Sequence, residues 1–145
     1  MKSITVLQCV IRNFALFEAS FEYDSVESEA GDIVVPAGKN ILVSLNATIE
    51  RLGLNASAPA QHSFYGWAME FYLGRITIWV LLQGGNPWLL ILEPGRSWFN
   101  SKTDKQEALK RGVEIMQQAL SANDQISKIR WLTRAEYESA KDVNP

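Results

Sequence analysis

The sequence is poor in the residues on which most small catalytic and metal centres depend, with one cysteine, Cys9, and one histidine, His62, in 145 residues. A lone cysteine excludes an internal disulfide framework and fits a reducing compartment, so a cytoplasmic location is expected. A lone histidine excludes two-histidine metal sites, and no GxSxG, HExxH or calcium-loop spacing occurs, so neither a metal nor a cofactor is expected. The pair Gly38-Lys39 lacks the first glycine of a phosphate-binding loop, and Asn40 stands where that loop needs Ser or Thr.

Long apolar runs are also missing. The stretches Ile76–Leu82 and Trp88–Leu92 fall far below the roughly 18 residues of a membrane-spanning helix. Lys2 and the apolar residues after it look like the start of an export signal. Arg12 and Asn13 interrupt that run, and Glu18 and Glu22 follow, so the segment reads as part of the fold. Fourteen basic against sixteen acidic residues leave a net charge of −2, with no basic field to hold nucleic acid or an anionic membrane.

What is present is the composition of one globular domain over residues 1–145, 47% hydrophobic and 21% charged. Strict alternation from Phe17 to Asp24 predicts a half-buried strand, and the β-branched run Ile4–Ile11 predicts a partner to it through a turn at Arg12-Asn13, giving a hairpin over 3–23. Ser25–Gly31 reads as a polar loop. Ile41, Leu42, Leu45, Ile49 and Leu52 recur at helical spacing and Gly53 supplies a left-handed stop, which predicts a helix over about 37–52.

A meander is expected over 65–93, with turns at Leu73-Gly74 and Gly84–Pro87. Thr103 and Gln106 have the spacing of a capping box, and Leu109, Val113, Met116 and Leu120 form one apolar stripe, so a second helix is expected over 104–121. A strand over 126–132 and a short helix opened by the capping box Thr133/Glu136 complete the chain. The expected class is α+β: a single-layer, mainly antiparallel sheet with both main helices on one face and a short C-terminal helix.

Five tryptophans are present, and Trp67, Trp79, Trp88 and Trp98 fall within 32 residues. Tryptophan has an indole N–H to satisfy and gathers where one edge stays wet, at interfaces and pocket rims. The strand from Arg75 to Gln83 is apolar on both sides, and two helices cover only one of them. A binding face carrying Tyr72, Thr77, Trp79 and Leu81 is therefore expected, its partner another protein chain, either a second copy or a different protein.

That places the chain among small acidic binding proteins, of which bacterial inhibitors, immunity-type proteins and adaptors are the class-level analogy. A pocket between sheet and helices lined by Tyr65, Trp67, Trp88 and Trp98 is the small-molecule alternative. Glu70 and Glu93 in apolar strands, with Arg75 and His62, are the candidate set for an enzyme; Arg75 or Arg96 is the expected ion-pair partner of the two carboxylates. Nucleic acid is not expected, because Arg75 and Arg96 are the only bases between Gln61 and Phe99.

Overall fold

The computed structural model describes residues 10–62, 66–96 and 100–143, the side chains of 141–143 excepted. Cys9, Tyr65, Trp98 and most of the expected strand 4–11 therefore lie outside the described residues. The strands, in chain order, are β1 (Phe14–Ala19), β2 (Val26–Glu27), β3 (Ile33–Val35), β4 (Ala60–His62), β5 (Gly66–Leu73), β6 (Ile76–Gln83), β7 (Trp88–Pro94) and β8 (Ile126–Leu132). The helices are α1 (Lys39–Arg51), α2 (Lys102–Ser121) and α3 (Arg134–Val143). The expected α+β class is what forms: six strands in the order β4-β5-β6-β7-β1-β8, all pairs antiparallel, with two larger helices and a short C-terminal one.

The meander arises where two-residue alternation is interrupted by turn residues. Leu73 pairs with Ile76 across Gly74-Arg75, and Gly74 takes φ 62°, a value that favours glycine. The turn is thus one residue later than the expected Leu73-Gly74.

The N-terminal segment differs more. β1 begins at Phe14 and lies between β7 and β8, so both of its edges are taken by those strands and not by the expected partner, whose residues 4–9 lie outside the described residues. Asn13 is itself buried and continues the ladder: its backbone carbonyl accepts from Leu92 N at 3.1 Å and its side-chain amide donates to Leu92 O at 2.8 Å. Phe14, Ala15 and Phe17 are all buried, as a strand covered on both faces requires, and the alternating run to Asp24 leaves the sheet after Ala19.

The expected loop 25–31 instead carries β2, which pairs with β3 in a separate two-stranded sheet. Asp24 closes the base of this excursion. Its carboxylate accepts from Gly38 N at 2.8 Å and Asn40 N at 3.0 Å, capping the otherwise uncapped start of α1 from fourteen residues upstream.

Both main helices lie on one face of the sheet. Ile41, Leu42, Leu45 and Ile49 of α1 are fully buried, while Leu52, expected in the stripe, is 47% exposed beyond the last turn. In α2 the buried line is Leu109, Gly112, Ile115, Met116, Ala119 and Leu120, and Val113 is only half-buried. Gly112 explains the departure: a Cβ there would stand 3.2 Å from Ile78 Cγ1, so the backbone of α2 rests directly on β6 and turns Ile115 inward. The cap of α2 is Ser101, whose hydroxyl accepts from Asp104 N at 3.0 Å, two residues before the expected Thr103.

The core between helices and sheet takes Trp67, Met69 and Phe71 from β5, Ile78, Val80 and Leu82 from β6, and Trp88, Leu90 and Leu92 from β7. Trp67 satisfies its indole N–H on Pro36 O at 2.8 Å.

Candidate functional site

Because strand side chains alternate, the residues between those core positions point to the opposite face: Ala68, Glu70 and Tyr72 on β5, Thr77, Trp79 and Leu81 on β6, Leu89, Ile91 and Glu93 on β7. One end of this face is covered by α3, whose Tyr137 ring lies 5.4 Å from that of Phe14. The capping box that starts α3 forms as its spacing predicts: Glu136 N donates to Thr133 Oγ1 at 3.0 Å and Thr133 N to Glu136 Oε1 at 2.8 Å. Arg12 adds a two-pronged contact to the Glu136 carboxylate at 3.2 and 3.1 Å, tying α3 to the approach to β1. These bonds hold the Glu136 carboxyl below its usual range, the Thr133 backbone N–H contributing most and Arg12 next.

At the other end a recess of about 430 Å³ opens, lined by Glu70, Thr77, Trp79, Glu93, Pro94, Gly95 and Arg96. Its centre is a row across three strands. Trp79 is directly opposite Glu70 on β5 and directly opposite Glu93 on β7, so the two carboxylates flank one indole, their Cα atoms about 10 Å apart at two strand spacings. Trp79 is partly exposed, and the His62 ring makes a T-shaped contact with it at 5.5 Å between centroids. His62 pairs with Gly66 across the β4–β5 ladder. Only glycine fits at 66, since a Cβ there would lie 1.9 Å from Leu82 O.

Glu70 is held on both sides. Its backbone exchanges hydrogen bonds with Ser57, N to Oγ at 2.9 Å and O from Ser57 N at 2.8 Å, and its carboxylate accepts from Tyr72 OH at 3.2 Å. Burial raises the Tyr72 phenol above its ordinary pKa, and the hydrogen bond and negative charge of Glu70 raise it further. The expected ion pairs do not form: neither Glu70 nor Glu93 is within 4.0 Å of a cationic nitrogen among the described residues. Arg75 occupies the β5–β6 turn and shares a neighbouring cleft of about 190 Å³ with Glu70, Thr77 and Arg96, and Arg96 lies beyond the end of β7.

The structure therefore joins Glu70, Tyr72, Thr77, Trp79, Glu93 and His62 on one face and separates them from two other candidates. Trp67 and Trp88 are 7% and 8% exposed and belong to the helix-covered core. There Trp88 Cζ3 stands 3.1 Å from where a Cβ on Gly38 would be, and Lys39 Nζ lies over the Trp67 ring at 5.6 Å. Leu81, expected to be a contact residue, is only 7% exposed. Arg96, expected as an ion-pair partner of the two carboxylates, lines the recess with both without lying within 4.0 Å of either.

A wider groove of about 770 Å³ runs between α2 and the approach to β1, with Arg12, Gln106, Lys110, Val113 and Trp131 in its walls. Among the described residues no group of three or more His, Cys, Asp or Glu is placed to hold a metal, and no helix is long and apolar enough to cross a membrane. The sequence matches no family model, and comparison with curated proteins and with solved structures gives no significant match.

Proposed function

We propose that the protein is a binding module that receives another polypeptide chain on the part of the sheet face left free by α3, with Trp79 as its anchor. The observation that carries this reading is a partly exposed indole on an interior strand, set in a recess and ringed by Glu70, Thr77, Glu93 and Arg96. An aromatic centre with a polar rim is the usual anatomy of an interface hot spot. An exposed indole forgoes about 25 cal/mol for each Å² of apolar surface a partner would cover. An inhibitor, immunity-type or adaptor role fits such a surface, and a second copy of the chain is the simplest alternative occupant.

The test is a photoactivatable cross-linking residue at Thr77 in cells producing the protein, combined with light scattering of the purified chain. A cross-linked product that disappears in Trp79→Asp, with the isolated variant still folded and unfolding cooperatively, is the expected result. A band at twice the chain mass together with a dimer in solution identifies the partner as a second copy. Unfolding of Trp79→Asp, or the same product from the variant, overturns the reading.

The enzyme alternative retains one supporting observation, that Glu70 and Glu93 line the same recess. It is the weaker reading because Glu70 is engaged by Tyr72, the His62 ring is in T-shaped contact with Trp79, and Arg75 opens on a different cleft from Glu93.

A further inference from the structure

The row Glu70–Trp79–Glu93 has a chemistry of its own. An indole face attracts cations through its quadrupole, and the guanidinium group does this best when it stacks flat. The same planar group carries N–H donors on several edges, which suit carboxylates at its sides. Here an indole has one carboxylate on each flank, in register on adjacent strands, and no cationic side chain within 4.0 Å of either among the described residues. Glu93 accepts no hydrogen bond from a described residue, and Glu70 accepts one, from Tyr72, leaving lone pairs on both free for a ligand. Of the charged residues lining the recess two are carboxylates and one is Arg96, which is exposed and stands at the rim two residues past the end of β7, while Arg75 lies in the adjoining cleft that shares Glu70.

We infer that this recess is the receptor for an arginine side chain of the partner polypeptide, stacked over Trp79 with its N–H groups directed to the carboxylates of Glu70 and Glu93. The inference rests on the docking reading above and adds the chemistry of the partner: a chain that presents an exposed arginine on a loop or end able to enter a recess of about 430 Å³. Arg96 opposes this occupant by like charge, so the arrangement separates a cationic ligand from an anionic one by the sign of two substitutions.

The experiment follows the indole N–H resonances of the ¹⁵N-labelled chain, assigned with single Trp→Phe variants, during titration with N-acetyl-arginine amide and with its neutral isostere N-acetyl-citrulline amide. Saturable movement of the Trp79 resonance with arginine is expected, with binding about tenfold weaker for citrulline, the scale of losing a charge-assisted hydrogen bond. Glu93→Gln should weaken arginine binding and Arg96→Ala should tighten it, with melting temperatures measured on both to verify folding.

Equal response to citrulline, no response at Trp79, or the opposite pattern, Arg96→Ala weakening and Glu93→Gln neutral, overturns the inference. Should those results accompany a Trp79-dependent cross-link at Thr77, the docking face stands and its partner is not recognised through arginine. Loss of the cross-link as well removes both.

Discussion

The two faces of the sheet are made by the same strands and behave differently. On the helix side β6 contributes Ile78, Val80 and Leu82, all fully buried under α1 and α2. One residue out of step, the same strand presents Thr77 and Trp79 half-exposed, and only Leu81, 7% exposed, is enclosed to a comparable degree. Local apolarity does not explain the contrast, since Trp79 and Leu81 are as apolar as their neighbours. Cover explains it. Two amphipathic helices span the first face, whereas among the described residues the helix on the second is the ten-residue α3, which reaches Phe14 at the β1 end, away from the recess holding Glu70, Trp79 and Glu93.

Truncation on each face gives the largest expected effect. Phe71→Ala, at a fully buried position, should cost about 3–5 kcal/mol in denaturant unfolding. Trp79→Ala removes a larger side chain but one already in contact with water, and should cost less than half as much. Equal losses would mean that Trp79 belongs to the core and would erase the distinction between the faces.

The caps come next. Asp24→Ala uncaps α1 on the covered face and Thr133→Ala uncaps α3 on the other; each should lose roughly 0.5–2 kcal/mol. Only Thr133→Ala should loosen Tyr137 from Phe14, read from nuclear Overhauser contacts between the rings. Loss of those contacts in the Asp24 variant instead would show that α3 is held from the helix side.

The smallest effect is one of pH. The Glu136 carboxyl titrates below its unfolded value because Thr133 N–H and Arg12 stabilise its charged form. Its contribution is therefore complete above the ordinary carboxylate range and is lost as pH falls through the depressed pKa. Melting temperatures of the native chain and of Glu136→Gln should converge as the pH is lowered from about 5 toward 3. An exposed contact of this kind contributes little, so the gap between them at neutral pH should be small. A gap that persists at low pH would show that the carboxylate charge does not hold α3.

Elements whose signal is local were legible in the sequence. The stripe Ile41, Leu42, Leu45, Ile49, the alternation in β5 and β6, and the box Thr133/Glu136 each depend on residues within a turn or two of one another, and each forms. The candidate site was legible in part for the same reason: alternation alone puts Glu70, Tyr72, Thr77, Trp79 and Glu93 on one face once the strands pair in sequence. Trp67 and Trp88 carry the same residue type as Trp79 but opposite strand parity, which assigns them to the core. Arg96 follows the end of a strand, where no periodicity applies.

The sequence by itself determined the α+β class, the meander, the two main helices and the absence of paired-histidine or disulfide chemistry, because these follow from residue counts and short-range periods. Tertiary structure alone decided that β1 sits between β7 and β8, that Asp24 caps α1, that Gly112 brings α2 onto Ile78, and which end of the second face α3 covers. Each of these depends on a contact between distant parts of the chain, such as the bond from Asn13 to Leu92 across 79 residues. Hydrogen bonds and close approaches of that kind are selected by how well whole layers fit together, and no local pattern encodes them.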